Sequence, residues 1–109
     1  MKTIQGIMKL KNRGEKISMV TCYDFTSAKI VNETDVDVVL VGDSTAMVMH
    51  GHDTTIPATI EMMATHVAAV RRGLTHKFLV VDMPFLAHRK DRKTVMESVD
   101  ALMKAGANA

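Results

Sequence analysis

The chain has little of several residue types, and each shortage narrows what it can be. It holds one cysteine, Cys22, so no intrachain disulfide can form and the stapled scaffolds of small secreted domains do not apply. A reducing, cytoplasmic compartment is the expected setting. No apolar run approaches the roughly 20 residues of a membrane-spanning helix. The opening "MKTIQGIMKLKNRGEK" lacks the apolar stretch of a signal peptide. Charge of one sign is also scarce: 14 basic against 12 acidic residues leave a formal +2. That imbalance is too small to indicate nucleic acid or a membrane surface as a partner. The basic residues that do gather, in "HRKDRK" (88–93), have no aromatic platform beside them and read as a solvated loop with a first helical turn.

Aromatics are few, with one tyrosine, three phenylalanines and no tryptophan. Ten methionines are expected to fill the core volume in their place. With 47% hydrophobic residues there is enough apolar material for one packed domain over 1–109, or for a piece of a larger one. Motifs for nucleotides and nucleophiles are missing as well. No G-x-G-x-x-G or Walker pattern is present, and Ser44 does not sit in a G-x-S-x-G elbow. Cys22 falls in a strand-like segment without an activating partner nearby in sequence, which marks it as a packing residue.

What is present follows a repeating order. Thr3 to Asn12 spaces Ile4, Ile7, Met8 and Leu10 as an amphipathic helix that Gly14 ends. "KISMVTCYD" has strand chemistry, and "FTSAKIVNET" reads as a helix capped by Asp24. "VDVVLVGD" is apolar without alternation, the pattern of a strand buried on both faces in a parallel sheet. A long connection, "STAMVMHGHDTTIPAT", follows. Ile60, Met63, Ala64, Val67 and Ala68 then predict a helix with Thr59 as its cap and Gly73 as its stop. "KFLVVD" is the next strand and "MPFLAHRKDR" the next loop. Thr94 to Ala105 is the last helix, with Val95, Val99, Leu102 and Met103 on its inner stripe and Gly106 at its end.

Strand alternating with helix three times is the order of parallel α/β architecture. Three such units can begin a doubly wound sheet or a (β/α)8 barrel, and a barrel uses about 250 residues for eight units. The expectation is therefore about the first three βα units of a barrel, with both edges of a three-stranded sheet left open. Such edges would favour self-association, so a non-catalytic assembly role stands as an alternative to an enzymatic one.

Two strands end at an aspartate, Asp43 in "VVLVGDS" and Asp82 in "FLVVDMPF". In parallel α/β folds the chemistry gathers at the carboxyl ends of the strands. Neighbouring strands about 5 Å apart would let both carboxylates reach one hard cation such as Mg2+. Capping of the local chain by each aspartate remains equally open. Asp24, directly before a helix, is read as a cap. "HGHD" (50–53) offers a second constellation, since His50 and His52 have the H-x-H spacing of zinc-dependent barrel hydrolases. Hydrogen-bonded loop histidines are the plainer reading of that pair, because further ligands at later strand ends are not evident.

Together, "TCYDFTSAKI", "LVGDS", "GHDTT-P-T", "H--AVRRG" and "V-DMPF" resemble ketopantoate hydroxymethyltransferase (3-methyl-2-oxobutanoate hydroxymethyltransferase). The resemblance extends to "KAGANA" and covers nearly the whole chain, as an N-terminal portion. It implies a (β/α)8 barrel, a homo-oligomer (a decamer is typical), and transfer of a one-carbon unit from 5,10-methylenetetrahydrofolate to 3-methyl-2-oxobutanoate in pantothenate biosynthesis. By resemblance, Asp43 and Asp82 are metal ligands, and Asp43, Ser44 and Asp82 form the keto-acid site. Mg2+ on the keto acid would acidify the adjacent C–H and stabilise the enolate that attacks the folate-borne carbon. The family's lysine, third metal ligand and general-base glutamate would lie past Ala109, so no catalytic base is expected in residues 1–109 and the piece alone should be inactive. His50 stands where glutamine is more usual in the family, so the resemblance marks it as a variable position and not as a metal ligand. Keto-acid barrels of the phosphoenolpyruvate mutase and isocitrate lyase type share the metal logic, but "GHDTT" and "DMPF" argue against them.

Overall fold

A computed structural model describes residues 3–109. Its centre is a three-stranded parallel sheet in the order β1 (Met19–Thr21), β2 (Val38–Val41), β3 (Phe78–Val81). Met19 pairs with Val38 and Val38 with Phe78, and the same register runs to Val41 opposite Val81. The middle strand is buried along most of its length, as its unbroken apolar run requires. Strand β1, at the edge, is exposed throughout and shorter than "KISMVTCYD" suggests, because only its three central residues meet β2.

Helices α2 (Phe25–Asn32), α4 (Ile60–Gly73) and α5 (Arg92–Ala105) lie side by side against this sheet, α4 touching α2 and α5 as well as β2 and β3. Strands and helices that advance together in sequence order follow the progression of a barrel's opening units. A full barrel is not formed by these residues. Met63, Val67 and Val70, at i, i+4 and i+7 on α4, are fully buried against Val39, Val41 and Leu79.

Helix α1 (Ile4–Asn12) starts one residue later than predicted, with Thr3 as its cap, ends at Asn12 as predicted, and buries none of its residues. The methionines depart from expectation too. Among the described residues only Met63 is fully buried, while Met8, Met19, Met47, Met49, Met96 and Met103 are exposed. Their helical and strand faces point away from the one core these residues build.

The caps explain where the helices begin. Asp24 accepts hydrogen bonds from the backbone N–H and the hydroxyl of Ser27, both at 2.8 Å, so it is a cap as the sequence implies. Thr59 accepts from Met62 N–H at 3.1 Å. Helix α5 starts two residues before Thr94, because Asp91 rather than the chain after it supplies the cap. A four-residue helix, α3 (Thr45–Val48), and a 3-10 turn (Ala87–Arg89) occupy segments that read as loop.

Two cations tie the bottom of the sheet to its connections. The Lys77 ammonium, with its residue almost wholly buried, donates to the carbonyls of Thr34 and Val36 at 2.6 Å each. The Arg71 guanidinium donates to Asn108 Oδ1 at 3.1 Å and to the Lys77 carbonyl at 3.3 Å, and burial lowers its pKa. Gly106, at φ +127°, lies against Arg71, where a Cβ would fall 2.4 Å from Cγ. The outer edge of β3 is not bare, as the sequence suggested it would be. Val81 N–H donates to the Ala109 carbonyl at 3.0 Å, and Asn108 N–H to that of Leu79 at 2.7 Å.

The Asp24 cap yields a first expected outcome. Hydrogen bonds from the Ser27 N–H, then from its hydroxyl, lower the Asp24 pKa below the ordinary carboxylate value. A depressed folded-state value means the stabilisation is complete above the unfolded pKa of about 3.9 and is lost as pH falls through the folded one. Asp24→Ala should cost about 1 kcal/mol at neutral pH. Thermal unfolding at pH 7 and at pH 2–3 should show the gap between variant and parent closing in acid. A gap of equal size at both pH values would contradict it.

Candidate active site

At the carboxyl ends of β2 and β3 the register places Gly42 level with Asp82, and Asp82 N–H donates to the Val41 carbonyl at 3.2 Å. The Asp82 side chain crosses back toward β2. Its Oδ2 accepts a hydrogen bond from the Asp43 backbone N–H at 3.2 Å. The two aspartates therefore do meet, but through the carboxylate of one and the main chain of the other. Asp82 keeps its second oxygen free of that bond, and the Asp43 carboxylate accepts no hydrogen bond among the described residues. Both residues are half-buried.

Ser44 stands next to them. Its hydroxyl pairs with the Tyr23 hydroxyl at 2.8 Å, which fixes the Ser44 rotamer from the end of β1. Gly42 makes room for the group, since a Cβ there would lie 3.2 Å from Ser44 Oγ and 3.3 Å from Asp82 Oδ2. The Thr45 hydroxyl donates to the Gly42 carbonyl at 2.6 Å and, fully buried, holds the turn that carries Asp43 and Ser44. Strand ends β1, β2 and β3 thus supply Tyr23, Gly42-Asp43-Ser44 and Asp82 to one small polar cluster.

All three predicted site residues, Asp43, Ser44 and Asp82, are brought together here. Tyr23 and Gly42 were not anticipated. The signal for Gly42 was available: a glycine at the end of a buried strand marks a close approach. Cys22, directly after β1, is buried with its N–H on the Leu40 carbonyl at 3.0 Å, and burial raises the thiol pKa. Its part is packing.

The histidines divide differently from the H-x-H reading. His50 Nε2 lies 2.9 Å from His66 Nε2 on α4, while His52 uses its backbone N–H to reach the Ala46 carbonyl at 3.1 Å. Among the described residues no group of three or more His, Cys, Asp or Glu side chains converges as a ready metal cage. A groove of about 480 Å3 opens between the start of α4 and α5, lined in part by Thr59, Lys90 and Ser98. It includes none of Asp43, Ser44 and Asp82.

A family model described as ketopantoate hydroxymethyltransferase matches residues 1–109. The chain belongs to the ketopantoate hydroxymethyltransferase family. Among similar curated proteins, the 3-methyl-2-oxobutanoate hydroxymethyltransferase of Coxiella burnetii (strain RSA 493 / Nine Mile phase I) is 56% identical over 101 residues, which cover 93% of this chain and 38% of that protein. The enzyme of the same name from Legionella pneumophila (strain Paris) is 56% identical over 99 residues, 91% of this chain and 38% of the relative. That of Bdellovibrio bacteriovorus is 50% identical over 109 residues, 100% of this chain and 41% of the relative. The chain thus spans about two fifths of the length of these ketopantoate hydroxymethyltransferase family members. Among the described residues, no helix is long and apolar enough to cross a membrane.

Proposed function

We propose that residues 1–109 form the cation- and keto-acid-binding part of an enzyme that transfers a hydroxymethyl group from 5,10-methylenetetrahydrofolate to 3-methyl-2-oxobutanoate, giving ketopantoate. The observation that carries the reading is the seating of the Asp82 carboxylate on the Asp43 backbone at the ends of two neighbouring parallel strands. It gains its meaning from membership of the family. The reading brings with it a complete (β/α)8 barrel, a homo-oligomer and a cytoplasmic setting.

The donor set fits Mg2+. This small hard cation takes oxygen ligands, is held by one or two carboxylates, and leaves its other positions to water and substrate. Asp43 and Asp82 would hold it, each with carboxylate oxygen to spare. Lewis-acid polarisation of a keto oxygen is the chemistry that such an ion supplies. The protein's own groups do the rest of the positioning. The N–H of Asp43 orients the Asp82 carboxylate, and the Tyr23 hydroxyl orients that of Ser44 for a hydrogen bond to the substrate's carboxylate. Gly42 leaves the space between Ser44 and Asp82 unfilled by side chain. Tyr23, Asp43, Ser44 and Asp82 are each half-buried, which holds part of the cluster out of bulk water.

The test uses a chimera in which residues 1–109 replace the matching segment of the Coxiella burnetii relative. Ketopantoate should form when Mg2+, 3-methyl-2-oxobutanoate and methylenetetrahydrofolate are all supplied, and should fall to background when Mg2+ is chelated. A folded chimera that forms none, or that forms it equally well after chelation, would contradict the proposal.

A further inference from the structure

Outside the cluster at Asp43 and Asp82, the side chains of His50 and His66 converge. His50 follows α3 and His66 lies on α4, sixteen residues later, with their Nε2 atoms 2.9 Å apart and their rings edge to face. The other side of His66 settles its tautomer. Its Nδ1 lies 2.6 Å from the Tyr23 carbonyl oxygen, which can only accept, so Nδ1 carries the hydrogen. In the neutral ring Nε2 then bears the lone pair, aimed at His50. A histidine held through Nδ1–H by a backbone carbonyl, with Nε2 free to donate electrons, is the arrangement that second-shell partners impose on metal ligands.

We propose that His50 and His66 form a binding site for a borderline divalent transition ion of the Zn2+, Ni2+ and Cu2+ class, separate from the Mg2+ site at Asp43 and Asp82. Imidazole nitrogen selects these ions over Mg2+, which prefers oxygen. With metal–nitrogen bonds of about 2.0–2.1 Å, two nitrogens in adjacent positions on one ion stand roughly 2.9–3.4 Å apart, depending on the angle between them. The observed 2.9 Å is already at the short end of that range. The two nitrogens now face each other in a hydrogen bond, so one ring must swing to admit an ion between the lone pairs. His66 is fixed by Tyr23, whereas His50 is exposed and is the ring that moves. Water fills the remaining positions, which the exposure of His50 permits.

The site also has a route to the candidate active site. Tyr23 offers its carbonyl to His66 and its hydroxyl to Ser44, so one residue touches both a proposed metal ligand and a keto-acid-binding group. The inference about binding does not depend on that route or on the proposed reaction.

Titration of the protein with Zn2+, and separately with Ni2+, in buffer containing excess Mg2+ tests it, followed by calorimetry and by the side-chain 15N resonances of the histidines. One equivalent should bind, shifting Nε2 of His50 and His66 and not the ring nitrogens of His52. His50→Gln, at an exposed position outside the catalytic cluster, should weaken binding by at least about tenfold while leaving the circular dichroism spectrum unchanged. His66→Gln should weaken it as much, and His52→Ala should leave it intact. Equal affinity in His50→Gln and the parent would overturn the assignment, as would shifts confined to His52, His76 or His88.

Discussion

Asp82→Asn in the chimera should lower kcat/KM for ketopantoate formation by about 10^2–10^3-fold, the rate equivalent of several kcal/mol of Lewis-acid stabilisation. The substitution is chosen because it separates charge from architecture. The amide oxygen of asparagine can still accept from the Asp43 N–H now bonded to Asp82 Oδ2 at 3.2 Å, so the link between β2 and β3 survives. The negative charge that would hold the cation does not. Asp82→Ala removes both and should also lower stability, because a half-buried N–H loses its partner. If Asp82 served only to tie down the Asp43 backbone, Asp82→Asn would keep near-normal turnover. Higher Mg2+ should recover part of the loss in Asp82→Asn, since Asp43 remains as a ligand.

Gly73→Ala should carry a large cost to folding. A Cβ at Gly73 would stand 2.6 Å from the Ala28 Cβ, 3.0 Å from the Phe25 carbonyl oxygen and 3.1 Å from the Lys29 nitrogen. Ala28 is fully buried, and two of the three obstacles are backbone of α2 that has no rotamer to escape into. Alanine gains up to about 1 kcal/mol of helix propensity over glycine. Overpacking of a close-packed contact costs about 1–3 kcal/mol and here requires α2 and α4 to separate. Packing wins, and the net loss should lower Tm by several degrees, at about 4–8 °C per kcal/mol for a domain of this size. Ala28→Gly removes the shortest of the three contacts. The double variant Ala28→Gly/Gly73→Ala should therefore be more stable than the sum of the two single losses predicts. Additive losses, or a Gly73→Ala variant as stable as the parent, would show that the helices have more room than their separation indicates.

Much of the scaffold could be read from local chemistry, and the failures share a cause. "VVLV" and "FLVV" announce buried parallel strands because no polar residue interrupts them. Asp24 and Thr59 announce helix starts because each is a cap residue followed by the correct spacing. Asp91 did the same work inside "HRKDRK", where the surrounding charges hid it. Helix α3 is four residues long, too short to show a period. The exposed methionines share the helical spacing of core residues, and only the packed structure separates Met63 from Met96 and Met103.

The site shows the same boundary. Aspartates ending two apolar strands pointed to Asp43 and Asp82 because strand ends gather in a parallel sheet. Which atoms meet is a matter of register, and register made the contact run from a carboxylate to a backbone N–H. His50 looked paired with His52 at a separation of two. Its partner is His66, which reaches it because α4 packs against α2 and β2 and the Tyr23 carbonyl holds the ring.

The cation can be counted directly, with Mn2+ standing in for Mg2+ as a paramagnetic hard ion. Electron paramagnetic resonance of free Mn2+ titrated with the chimera should reveal one bound ion per chain, displaced by Mg2+. Asp43→Asn and Asp82→Asn should each weaken that binding by tenfold or more, and His50→Gln should not. Undiminished Mn2+ binding in both aspartate variants would contradict the claim that these two strand-end carboxylates hold the ion.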